Sequence, residues 1–225
     1  MQQLNGRFMA FFIHMLISIG LLALLLAVVR WAWFPGALFD IAGGVQGLRI
    51  LIPVDLVLGP LITLVVFNKA KPKSELIRDM SIVAAVQAVA LIAGMFVVHS
   101  VRPVALVHVF DTVYVLKTRD LDNSGIELKE LDRLPGRYPK FLYVNVPSEA
   151  YDFALAYSKN MLSGSVPFEY RVDLYEPLPE DLSLFPSKLG GDARCLKVDV
   201  ESDYSSGQAC LNLIEKKLVG FGDSK

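Results

Sequence analysis

The chain has 225 residues, enough for one or two compact units. Its formal net charge of −1 leaves no basic surplus for gripping nucleic acid. Hydrophobic residues make up 53% and mean hydropathy is +0.45, too apolar for a chain that is globular from end to end. The excess lies before Val101. Residues 1–101 carry seven Lys/Arg and four Asp/Glu, whereas residues 102–225 carry fifteen and nineteen. The pattern predicts a membrane region over 1–101 and a slightly acidic solvated domain over 102–225, with the boundary near Ser100–Pro103.

Phe8–Val29 is an apolar run broken by no fixed charge, and a helix needs about 20 such residues to cross a bilayer. It is longer than a cleaved signal core and is followed by no small-x-small cleavage site, so it predicts a retained helix over about 8–29. Arg30, Trp31, Trp33 and Phe34 then form an interfacial collar. Ile50–Phe67 predicts a second span, about 48–67, with Pro53, Asp55, Gly59 and Pro60 inside it. Ser81–Val101 predicts the third, with Gln87 and His99 as its strongly polar members. Between the second and third lie Lys69, Lys71, Lys73 and Arg78, the densest basic cluster near the spans. The positive-inside rule places it in the cytoplasm, together with the N-terminus and Arg7. The loop 31–49 and everything after Arg102 then face the opposite side; Arg30, Arg49 and Arg102 oppose this bias.

The exported half predicts a small α+β domain. Residues 103–118 predict one or two strands, and 123–134 a short amphipathic helix. Residues 147–161 predict a second helix with Ser148 as N-cap. Residues 168–175 alternate like a strand and 177–191 predict a loop. Residues 195–201 and 208–219 predict two strands joined by a turn at 202–207. Cys195 and Cys210 are the only cysteines. One pair cannot complete a four-ligand zinc site, and in an exported domain it predicts a disulfide stapling this hairpin. In a cytosolic domain it would instead be two buried thiols, so topology decides.

Signs of catalysis or cofactors are weak. Asp120, Asp122, Ser124 and Gly125 fit the start of a calcium loop, but its twelfth position is Leu131 where a bidentate Glu is needed. A polar turn ahead of a helix is the better expectation. His14, His99 and His108 lack metal-ligand spacing. Ser163–Ser165 lacks the nucleophile-elbow pattern, and Gly43–Gly47 is followed by no phosphate-binding lysine. The expectation is a non-enzyme with no metal and no cofactor. Asp55 is the most informative residue, because an ionisable group at membrane depth is costly and often functional. It either sits near the outer surface, solvated or paired with Arg49, or serves a partner. Pro53 and Gly59-Pro60 withhold backbone donors around it, and packing against other helices would have to compensate.

As a set, several segments are distinctive: Phe34-Pro-Gly-Ala-Leu-Phe39, Gly43-Gly44, Gly47-Leu48, Val54-Asp55 through Gly59-Pro60 and Thr63 to Phe67, and Lys73 to Asp79. Gln87 and Arg102-Pro103-Val104 complete the set. In this order the chain resembles the TfpX/TfpZ-type accessory proteins of type IV pilins, most strongly over residues 30–105. The resemblance implies a bacterial inner-membrane protein that acts as a chaperone or accessory factor for a major type IV pilin. Its expected effect is on pilin stability, pilus assembly or pilus dynamics. It carries no catalytic residue. The expected partners are the pilin's transmembrane helix and periplasmic head, with Arg49, Asp55, Gly59 and Pro60 as candidate contacts, and the lipid bilayer. The competing expectation is a membrane-anchored periplasmic sensor or signalling subunit. Its exposed cytoplasmic segments are short, so it would need a partner for output.

Overall fold

The structure is a computed structural model that describes residues 2–145, 150–162, 166–178, 195–212 and 214–223. It divides into two units. The first comprises Met1–Ala32 and Gly44–His99, the second Trp33–Gly43 and Ser100–Lys225.

Among the described residues, three helical stretches in the first unit are long and apolar enough to cross a membrane: Asn5–Trp33, Gly44–Val66 and Lys73–Ser100. The first is helix α1 (Gln2–Ala27), continued by a π-helical segment, Val28–Trp33. The third is α5 (Lys73–Ser100), opened by Pro72, whose carbonyl accepts from Glu75 and Leu76. The second is composite: α3 (Gly44–Pro53), a π-helical segment (Val54–Leu58), then α4 (Gly59–Val66). Its cause is written in the chain. Pro53 and Pro60 have no N–H to donate, so the regular hydrogen-bond ladder cannot pass through either. The Gly59 N–H instead reaches back five residues to the Val54 carbonyl. Glycines allow close packing here: a Cβ at Gly47 would lie 2.8 Å from Val98, and one at Gly94 would lie 2.4 Å from Leu51. Large apolar side chains such as Phe12, Leu16, Val89 and Phe96 point outward.

The second unit is built on a seven-stranded mixed sheet, in spatial order β4-β3-β1-β2-β5-β6-β7. Strands β1 (Pro103–Val109) and β2 (Thr112–Lys117) form a hairpin; β3 (Lys140–Val144) runs parallel to β1 and β5 (Cys195–Glu201) parallel to β2. The remaining neighbours, β4 (Tyr175–Pro177), β6 (Ser206–Asn212) and β7 (Lys217–Asp223), pair antiparallel. Every residue of β1 is buried, as a central strand covered on both faces requires. Val104 and Val107 of β1 cluster with Leu116, Leu121, Leu131 and Leu142 in the core.

Several local expectations change. The amphipathic stretch 123–134 is helical only over α7 (Leu128–Leu131); a further short helix, α6 (Thr118–Asn123), ends where the stretch begins, and Gly125 between the two takes a φ of +72°. The Asp120 carboxylate accepts the Lys117 N–H, so it caps a helix. Residues 168–175 are not a strand. Two 3₁₀ turns, Phe168–Tyr170 and Val172–Leu174, precede β4, and their N–H groups bond three residues back. Phe168, Tyr170 and Val172 nevertheless pack on the core, which is the alternation read as a strand. Residues 208–219 are likewise not one strand but the end of β6 and the start of β7. Asn212 Oδ1 accepts the N–H groups of Ile214 and Glu215, both at 3.0 Å, and turns the chain there. Helix α8 (Ala150–Leu162) lies in the stretch expected to be helical. Ser148, Ser163–Ser165 and residues 179–191 of the expected loop lie outside the described residues.

Segment 33–43, between the first two long helices, belongs to the second unit. Phe34 and Ile41 are fully buried, and Leu38, in the one-turn helix α2 (Leu38–Ile41), nearly so. The Ser202 hydroxyl donates to the Ile41 carbonyl at 2.7 Å, and the Tyr204 ring lies so close to Gly43 that a Cβ would meet it at 2.5 Å.

Candidate functional site

The π-helical segment places Asp55 in the interior of the three-helix unit, 2% exposed. Gly59, Pro60 and Thr63 are buried with it. Along its own helix, the Asp55 carbonyl could accept only from Gly59 or Pro60. The first donates to Val54 and the second has no N–H. Gln87, on α5, fills the gap. Its Nε2 donates to the Asp55 carbonyl at 3.2 Å, to the Asp55 carboxylate at 2.6 Å and to Ser18 Oγ of α1 at 3.3 Å. One amide thus joins all three long helices. Gly59 makes room for it, because a Cβ there would lie 2.4 Å from Gln87 Oε1.

The cluster is incompletely satisfied. Asp55 Oδ2 and Gln87 Oε1 are buried with no hydrogen-bond partner among the described residues. A buried polar atom without a partner costs about 1–3 kcal/mol, so a site that retains two departs from what stability alone would favour. Further along α1, His14 Nδ1 and Thr63 Oγ1 lie 2.5 Å apart, and Arg7 Nε donates to the Phe67 carbonyl at 2.9 Å. Arg7, His14 and Ser18 share one face of α1 at spacings of seven and four.

Beside the cluster runs an apolar groove of about 620 Å³ between the broken helix and α5, with Leu58, Gly59, Ile62, Val86 and Gln87 in its wall. A second groove, about 560 Å³, lies along α1 and includes His14 and Thr63.

Of the candidate contacts, Asp55 and Gly59 meet Gln87, and Pro60 is buried next to Gly59. Arg49 does not join them: it is exposed, and Asp55 is held by Gln87. Sequence alone did not reveal Ser18 as a member of the site, and it marked Gln87 as a polar residue of the third span and a member of the distinctive set, without assigning it a partner. Their signal was present, since a polar side chain in an apolar helix seeks a partner on another helix. Cys195 opens β5 opposite Asn212, and Cys210 lies on β6 opposite Lys197. Among the described residues, no group of His, Cys, Asp or Glu could hold a metal ion.

In the second unit, His108 is 2% exposed on β1 and stacked on Tyr143, with ring centroids 5.7 Å apart. Burial lowers its pKa to about 4, against a smaller opposing effect of Asp111. Burial also raises the pKa of Glu169.

No family model matches the sequence, and no solved structure matches it. Among curated proteins, it is similar to "Fimbrial assembly protein, serogroups C1 and C2" of Dichelobacter nodosus. The two are 32% identical over 109 residues, covering 48% of this chain and 83% of the relative. The chain belongs to the fimbrial assembly protein family. The serogroup I and serogroup E1 fimbrial assembly proteins of the same organism are 33% and 30% identical over 129 residues, 57% of this chain. The match spans 47%, about half, of each of these two relatives.

Proposed function

We propose that this member of the fimbrial assembly family is a TfpX/TfpZ-type accessory protein of the bacterial inner membrane that chaperones a major type IV pilin. Its three long helices cross the bilayer, with the N-terminus and the Lys69–Arg78 cluster in the cytoplasm and the sheet unit in the periplasm. It acts by binding and not by catalysis. The apolar helix of a pilin lodges beside the broken second helix, and the pilin head meets the sheet unit. Cys195 and Cys210, on neighbouring antiparallel strands, form a disulfide in that oxidising compartment. Family membership supports a part in pilus biogenesis.

The observation that carries the reading is the composite second helix, whose buried Asp55 is tied to Gln87 at the wall of an open apolar groove. A helix interrupted by π-geometry and holding unsatisfied polar atoms is suited to accept another helix, since a guest can cover the groove and supply contacts the bundle lacks. The test is surface piliation and pilin abundance in Asp55→Asn and Pro60→Ala variants. It is combined with photo-crosslinking from position 62 or 86 in the groove wall. Both variants should impair piliation at normal abundance of the protein, and the crosslinked product should contain pilin. Unchanged piliation in both variants, with no pilin crosslink, would sink the proposal.

A further inference from the structure

A second concave site lies wholly in the sheet unit. It is a cleft of about 400 Å³ with a floor that includes Leu38, Phe141, Leu178 and Leu218. Its rim carries Arg137, Lys216 and Lys217. Lys217 is paired with Glu215, but no ion pair or hydrogen bond engages the side chains of Arg137 or Lys216 among the described residues, and both are exposed. Arg102 acts electrostatically on Tyr138 in the cleft wall, lowering its pKa against the larger effects of burial and Asp132. The Lys140 ammonium sits over the Tyr138 ring, 5.2 Å from its centre. Of the carboxylates here, Glu215 lines the cleft, and Asp132 accepts the Tyr138 hydroxyl at 2.7 Å. The cleft therefore combines an apolar floor with a basic rim.

Its place along the chain narrows the choice of ligand. Pro35, in the cleft wall, is two residues beyond the span Asn5–Trp33, and Arg102 is two residues beyond the span Lys73–Ser100. Two residues reach at most about 7 Å. If these helices cross a bilayer, both positions stand at its surface whatever the tilt of the sheet. We propose that this cleft binds the headgroup of an anionic phospholipid, with Arg137 and Lys216 around the phosphate and the apolar floor against the glycerol and upper acyl chain. A free anion would use the rim but not the floor, so the site favours a lipid. The proposal requires that the helices span a membrane and is independent of pilin recognition.

The test uses the full chain in neutral detergent, with phosphatidylglycerol or phosphatidylcholine added, and reads retained lipid by native mass spectrometry. Phosphatidylglycerol should be retained in preference. Arg137→Gln and Lys216→Gln should each reduce that preference about fivefold, the effect expected of one basic residue at an anionic surface. Lys159→Gln, on an exposed position of α8, removes the same charge elsewhere and should change nothing. Equal retention of the two lipids, or an equal fall in Lys159→Gln, overturns the site. Displacement of phosphatidylglycerol by millimolar inorganic phosphate overturns the lipid assignment in favour of a free anion. Pilin crosslinking from the helical groove should be unaffected by these variants, so failure here is distinguishable from failure of the chaperone reading.

Discussion

Gln87 donates to both the backbone carbonyl and the carboxylate of Asp55, at 3.2 and 2.6 Å, from a different helix. The backbone contact repairs a defect that Gly59 and Pro60 create, and the side-chain contact holds the acid in place. Gln87→Leu should therefore expose two costs together, an orphaned carbonyl and an orphaned carboxylate. We expect a loss of about 2–6 kcal/mol, about 1–3 for each orphaned group, in denaturant titration of the detergent-solubilised protein. Asp55→Leu combined with Gln87→Leu should cost less than the sum of the single changes, because only the carbonyl then remains unpaired. Strict additivity would show that the two side chains do not act as a pair.

Gly59 and Gly20 offer a matched comparison on two helices. Alanine is the better helix former by about 1 kcal/mol. At Gly20 nothing lies within 4 Å of an added Cβ, so Gly20→Ala should be neutral or stabilising. At Gly59 the Cβ would displace the Gln87 amide, so Gly59→Ala should destabilise the bundle despite its propensity. The check is thermal unfolding of both variants side by side.

Ile41 lies between two spans in sequence, but its side chain is fully buried with the sheet unit. Ile41→Ala should cost about 2–5 kcal/mol, the range for a cavity left in a packed interior. Ser202→Ala removes the hydroxyl bond to the Ile41 carbonyl and should cost about 1 kcal/mol. Limited proteolysis should find segment 33–43 opened in Ile41→Ala. A segment equally protected in the variant would mean that its anchoring does not depend on this side chain.

His108 makes the sheet unit sensitive to acid. Its folded pKa of about 4 lies below the ordinary value of 6.5, so the unfolded chain takes up a proton first as pH falls. Its contribution is complete above about pH 6.5 and is lost progressively toward pH 4, reaching roughly 3 kcal/mol. His108→Phe keeps a flat ring against Tyr143 but cannot titrate. Melting temperatures followed by near-UV circular dichroism from pH 7 to 4.5 should fall more steeply for the wild type. Parallel curves would assign the acid response to other groups.

Three apolar stretches and a polar second half were legible in the sequence because crossing length, charge and hydropathy are local properties. Asp55, Pro53 and Pro60 were visible for the same reason, since each violates the pattern around it. The partner of Asp55 was not legible. Arg49 was the charged candidate nearby in sequence, yet the carboxylate is held by Gln87 of α5, where the folded helices meet. Nor could alternation alone separate the 3₁₀ turns at 168–174 from a strand, because Phe168, Tyr170 and Val172 pack against the core at every second position just as strand residues would. What the sequence by itself determined was which stretches must leave water and where the helical ladder must break, since these follow from side-chain polarity and missing N–H groups. What only the tertiary structure decided was which polar group answers each break, and that segment 33–43 belongs with the sheet unit, because burial and hydrogen-bond partnership depend on residues distant in the chain.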